Sequence, residues 1–127
     1  MDKVSNFTEI QSEIKAIKAI SDGFITNFYP EIDKINVWIE KGQLYKTTIG
    51  DTAFFLKEKT EFSHLFYSSA SIEALNYSLS HLNIFIDKTH LVADIIGKES
   101  DIKSIVHVFK ENGFCLYTTL NRMSRNT

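Results

Sequence analysis

Hydrophobic periodicity changes twice along this chain, and these changes constrain the fold more than any other feature. Over residues 6–42 apolar side chains recur every three or four positions, which predicts two amphipathic helices. Three short strand-like runs follow over residues 43–69 and predict an antiparallel meander with tight turns. Helical and strand-like patterns then alternate to residue 120. The expected order is α-α-β-β-β-α-β-α-β, which indicates one α/β (α+β) domain over residues 1–127.

The boundaries of these elements follow from capping residues and glycines. Asn6 and Ser71 are typical helix N-caps, and Pro30 suits a first helical turn. A helical crossover returns the next strand parallel, so the last segments imply a mixed sheet. The expected strands cover residues 43–49, 52–58, 61–69, 90–97 and 114–120, and the clearest helix covers residues 100–113.

Composition excludes several classes of protein. Fourteen basic and sixteen acidic residues give a formal charge of −2, which does not suit a nucleic-acid binder. No apolar stretch reaches the ~20 residues that span a bilayer, so we expect no membrane segment. The beginning of the chain shows no hydrophobic signal region, and the single Cys115 fits a reducing compartment. These features predict a cytoplasmic protein, with Cys115 as a small core residue.

The last six residues look different from the rest of the chain. Residues 122–127 carry two arginines, polar neighbours and one Met, with neither an apolar face nor a turn signal. Such segments are typical of solvated linkers. We therefore expect ordered structure to end near Arg122, with residues 122–127 as a tail or as a linker toward a further domain.

The order of elements over residues 7–120 resembles the GNAT (N-acetyltransferase) family. The resemblance is sharpened by Glu111-Asn112-Gly113-Phe114, because helices of this family commonly end in a similar step into a strand. It implies a GNAT-like mixed sheet with a V-shaped splay between the third meander strand and the strand at residues 90–97. The family also has a strand before the first helix and a final strand. Neither is evident in this sequence.

The family's cofactor loop is missing from the expected place. A catalytic GNAT member carries a glycine-rich Gln/Arg-x-x-Gly-x-Gly/Ala loop, which binds the acetyl-CoA pyrophosphate at a helix N-terminus. The corresponding residues here are Ser68-Ser69-Ala70-Ser71-Ile72-Glu73, without glycine or a basic residue. The resemblance therefore predicts a non-catalytic, substrate-positioning or docking domain without a cofactor. A second GNAT-like domain is its expected partner.

Two other functions stay open at this point. The chain is an active N-acyltransferase if Ser68–Ser71 bind the acetyl-CoA pyrophosphate in place of glycines. It is a small stand-alone interaction protein if it forms a homodimer through an edge of its sheet.

The best candidates for a small-molecule pocket are the aromatic residues between and within the first two helices. In the GNAT-like arrangement the connection between these helices flanks the acceptor groove. Rings there provide apolar walls, although aromatic runs also fill cores. A carboxylate inside the apolar run 90–97 needs a partner and is added as a candidate. The predicted pocket residues are Phe24, Phe28, Tyr29, Trp38 and Asp94. The four histidines have no metal-ligand spacing, so no metal site is expected.

Overall fold

A computed structural model describes residues 1–82, 90–116 and 122–125. The helices within these ranges are α1 (Phe7–Ala19), α2 (Ile32–Glu40), α3 (Ile72–His81) and α4 (Glu99–Glu111). The strands are β1 (Asp2–Lys3), β2 (Ile25–Thr26), β3 (Leu44–Ile49), β4 (Thr52–Glu58), β5 (Ser63–Ser69), β6 (Leu91–Asp94), β7 (Cys115–Leu116) and β8 (Arg122–Arg125).

The strands form one mixed sheet in the order β1-β3-β4-β5-β6-β8-β7, with β2 paired to β5. The meander β3-β4-β5 is antiparallel, and the helical crossover through α3 makes β6 parallel to β5. The predicted mixed α/β class is confirmed. Part of the predicted strand 114–120 lies outside the described residues, because residues 117–120 are not among them.

Two short strands near the beginning of the chain were missed. Strand β1 pairs with β3 through Asp2 opposite Lys46 and Lys3 opposite Tyr45. Strand β2 lies in the aromatic connection between α1 and α2. Both have only two residues, too few for a hydrophobic alternation, so neighbouring strands define them and the local sequence does not.

The prediction that residues 122–127 form a tail or linker is wrong for the four of them that are described. Strand β8 lies inside the sheet, antiparallel to β6 on one side and β7 on the other. Met123 is fully buried, and Arg122 pairs with the carboxylate of Asp94. The guanidinium of Arg125 lies over the Phe114 ring, with its central carbon 4.9 Å from the ring centroid. The arginines therefore have partners inside the protein, and the argument for a linker at Arg122 no longer holds.

Side chains of the sheet pack on both of its faces. One core lies between the sheet and α3 and α4, and it includes Phe54, Tyr67 and Phe109. The other lies against α1 and α2 and includes Phe28 and Phe55. Cys115, expected in the core, is exposed instead. Among the described residues, no helix combines the length and the apolar character required to cross a bilayer.

Candidate functional site

Strands β5 and β6 separate soon after they meet. Their parallel pairing covers only Ser63 with Leu91 and His64 with Val92. Further along, β5 pairs instead with β2, through Thr26 opposite Ser68 and Ile25 opposite Ser69. The opening between β5 and β6 is therefore occupied by the chain's own connection between α1 and α2.

Asn27 closes this opening with its side-chain amide and is only 4% exposed. Its Nδ2 donates to the carbonyl oxygens of Leu65 (3.2 Å) and Asp94 (2.9 Å), one on each strand. Its Oδ1 accepts a 2.7 Å hydrogen bond from the backbone N–H of Tyr67. One side chain thus satisfies three backbone groups that the splayed strands leave without strand partners.

A cleft lies beside Asn27, between the start of α2 and the strands β4 and β5. Its volume is about 440 Å³, within the range of small-molecule sites. Aromatic and cationic side chains dominate its surface. The lining residues are Asn27, Phe28, Tyr29, Pro30, Glu31, Lys34, Ile35, Trp38, Lys57, Lys59, His64 and Phe66.

The aromatic wall of the cleft is centred on Phe66. Its ring centroid lies 4.4 Å from His64, 4.6 Å from Phe28 and 6.1 Å from Trp38. His64 and Phe66 are two residues apart on β5, so strand alternation puts both side chains on the face that α2 covers. These contacts fix the orientation of the rings before any ligand binds.

Three lysines surround this wall. The ammonium groups of Lys34 and Lys57 each lie 5.6 Å from the centroid of the Trp38 ring. Lys57 is only 9% exposed, and its Nζ donates to the carbonyl oxygen of Glu58 at 2.9 Å. Burial, and then the neighbouring charges of Lys59 and Lys41, lower the pKa of Lys57.

His64 connects the cleft to an ion pair behind it. Its Nε2 lies 3.3 Å from Asp94 Oδ2, and Arg122 binds the same carboxylate through Nε (2.6 Å) and Nη2 (3.2 Å). Burial lowers the pKa of His64 despite the opposing charge of Asp94. Burial alone would raise the pKa of Asp94, but hydrogen bonds and charge from Arg122 and His64 lower it. The carboxylate of Asp94 is thus held in its ionised form by its two neighbours, while burial disfavours the protonated form of His64.

The structure brings three of the five predicted pocket residues together in the cleft: Phe28, Tyr29 and Trp38. Phe24 lies in a neighbouring groove that also includes Phe28 and Tyr29. Asp94 lies behind His64 and orients it.

Sequence reasoning did not identify Asn27, His64 or the lysines as parts of the site. The spacing of His64 and Phe66 was the available signal, because it places an imidazole beside a ring on one face of a strand.

The serine-rich loop that stands where a cofactor loop was expected is bonded internally. Ser71 caps α3 by accepting from the N–H of Ala74, as predicted. The hydroxyl of Ser68 contacts Thr26 Oγ1 at 2.9 Å, and that of Ser69 contacts Thr52 Oγ1 at 2.7 Å. Within the described ranges, no three His, Cys, Asp or Glu side chains converge as metal ligands.

Comparison with known proteins returned no relative. No family model matches the chain, and neither the curated proteins nor the solved structures include a significant match.

Proposed function

We propose that this chain is a non-catalytic GNAT-like domain that binds a small molecule in the cleft between α2, β4 and β5. The observation that carries the proposal is the filled opening between β5 and β6. A splay of this kind is what the family resemblance implies, and here Asn27 and β2 occupy it. A cofactor therefore has no free β5 backbone to bind between the two strands.

The ends of the sheet support the GNAT-like part of the proposal. The family has a strand before its first helix and a final strand, and the sequence alone suggested neither. Strand β1 precedes α1 and pairs with β3, and strand β8 comes last and pairs with β6. Their presence supports the resemblance at two of the three points where the sequence alone departs from the family pattern.

The third departure, the cofactor loop, supports the non-catalytic part. The hydroxyls of Ser68, Ser69 and Ser71 already have partners within the chain. Glu73 adds a negative charge to the first turn of α3, where a pyrophosphate would need positive potential. An acetyl-CoA-dependent acyltransferase is therefore the less favoured function. We still predict that the partner of this domain is a second GNAT-like domain or a second copy of the chain.

A nuclear magnetic resonance screen tests the binding function. The ¹⁵N-labelled chain is titrated with a library of small fragments, and the indole N–H of Trp38, its only tryptophan, is followed. We expect fragments that shift this signal to shift the amides of Lys57 and Phe66 as well. A screen in which no fragment moves these three signals, or in which hits cluster elsewhere, would contradict the assignment of the cleft.

A further inference from the structure

The charge of the cleft is opposite to that of the chain. The full sequence carries a formal charge of −2. The cleft is lined by three lysines, Lys34, Lys57 and Lys59, and by one carboxylate, that of Glu31. Among the described residues, none of the three ammonium groups has a carboxylate within 4.0 Å. The lysines of the lining therefore outnumber its carboxylate by three to one, and none of the three is in an ion pair among the described residues.

Lys57 is the most informative of the three. Lysine is almost never buried without an ionic partner, because desolvation disfavours its charge. This one lines the cleft and is 9% exposed, with a backbone carbonyl oxygen as its hydrogen-bond acceptor. The arrangement leaves it donors for a bound anion, since an ammonium group carries three.

The aromatic wall defines the other half of the ligand. Phe28 and Phe66 provide apolar surface, and Trp38 stands beside Phe66 with its ring 24° from parallel. Flat apolar groups pack well against such surfaces, and a volume of about 440 Å³ accommodates a small ring system. Anion donors and ring surface lie on one continuous lining.

We propose that the cleft binds a small aromatic carboxylate, with its ring against Trp38 and Phe66 and its carboxylate at Lys57 and Lys59. This inference rests on the proposed function, because it names the ligand class of the same site. A protonated amine is disfavoured in the cleft, since the three lysines repel it.

Trp38 provides a direct test, because its fluorescence reports on this cleft alone. The chain is titrated with benzoate, with its neutral analogue benzamide and with the cation benzylamine. We expect saturable quenching by benzoate, with a dissociation constant about tenfold or more below that for benzamide, because a charge-assisted hydrogen bond is about twice as strong as a neutral one. Benzylamine is expected to bind more weakly than either.

Two substitutions locate the carboxylate. Lys57→Met and Lys59→Met are each expected to weaken benzoate binding severalfold and to weaken benzamide binding much less, because benzamide carries no charge. Lys59 is exposed, so its substitution tests the proposal without disturbing the core. Lys103→Met removes an exposed lysine on α4 and serves as the matched control, with unchanged affinity.

The outcomes separate the ligand class from the proposed function. Equal affinity for benzoate and benzamide, tighter binding of benzylamine, or insensitivity of benzoate to both lysine substitutions would overturn the carboxylate assignment and leave a binding cleft. The absence of quenching by all three compounds would overturn the carboxylate assignment. If, in addition, no fragment in the screen shifted the indole N–H signal of Trp38, the proposed binding function would also be wrong.

Discussion

Asn27 joins two strands that do not pair with each other at its position. Its amide is the hydrogen-bond partner of two carbonyl oxygens and one N–H where β5 and β6 diverge, and two of these three bonds are buried. Among the amino acids only asparagine and glutamine carry an amide with two N–H donors and an acceptor oxygen, and glutamine is one methylene longer. The shape of the opening, and with it one wall of the cleft, therefore depends on this side chain.

The substitution Asn27→Ala measures that dependence. It leaves the three backbone groups without their partner, and we expect the free energy of unfolding to fall by about 2–4 kcal/mol, because each buried unsatisfied group costs about 1–3 kcal/mol. Urea denaturation monitored by circular dichroism gives the value. The control Asn36→Ala, on the exposed side of α2, is expected to change stability by less than about 0.5 kcal/mol. Equal effects of the two substitutions would show that Asn27 does not hold the strands.

His64 gives the stability a pH dependence of definite sign. Burial lowers its pKa below the ordinary value of 6.5, so below that pH the unfolded chain binds a proton that the folded chain does not. The free energy of unfolding should therefore decrease as the pH falls from 7 to 5. The pKa of Asp94 is also lowered, so its stabilising contribution persists above its ordinary value of 3.8 and disappears at lower pH.

Chemical denaturation at several pH values checks this prediction. The slope between pH 7 and pH 5 should become smaller in His64→Phe, which keeps a ring beside Phe66 and removes the titrating group. It should persist in His107→Gln, because His107 is exposed on α4 beside Glu111. A slope that is unchanged by His64→Phe would assign the pH dependence to another group.

At the level of elements, local patterns predict what is long and periodic. The stripe of Ile10 and Ile17 on α1 and the caps Asn6 and Ser71 are local signals, and the structure contains both helices. The two residues of β1 and the two of β2 carry no period and become strands because β3 and β5 offer backbone partners. Arg122 and Arg125 looked like markers of solvent because their partners are not local: Asp94 is distant in sequence, and Phe114 lies between α4 and β7.

Strand β8 makes a prediction at this scale. Met123 would be exposed to water if residues 122–125 formed a tail, but in strand β8 its side chain is fully buried. Met123→Ala should therefore lower the free energy of unfolding by about 2–4 kcal/mol, the usual cost of a large-to-small change in a core. Ser124→Ala, at the next residue, is the control and should cost less than about 1 kcal/mol. If Met123→Ala lowered the free energy of unfolding as little as the control does, residues 122–125 would not be packed in the sheet and the tail prediction would hold.

The candidate site was also predictable only in part, because some of its residues are brought together by strand pairing and not by their proximity in the sequence. The aromatic residues Phe28, Tyr29 and Trp38 belong to two adjacent segments, so their proximity follows from the helix connection itself. Lys57 and His64 come from two strands, and they meet α2 only after the register of β4 with β5 is set, which pairs them directly. Register depends on the whole meander and its turns, which a single segment does not encode.

At the scale of the whole molecule, strands β5 and β6 separate, and the space between them is occupied by another segment of the same chain. The connection between α1 and α2 supplies β2 and Asn27 to the splay, and it supplies Phe28 and Tyr29 to the cleft. The connection between α1 and α2 therefore closes the opening between β5 and β6 and also lines the cleft. The proposed non-catalytic function depends on this arrangement.

Calorimetric titration with acetyl-CoA tests that central claim most directly. The filled splay and the internally bonded serine loop predict no saturable heat at acetyl-CoA concentrations up to about 1 mM, which corresponds to a binding free energy weaker than about −4 kcal/mol. Free coenzyme A should behave in the same way. A saturable isotherm with a micromolar dissociation constant would contradict the account, because the chain would then bind the cofactor through groups that the structure shows as already bonded.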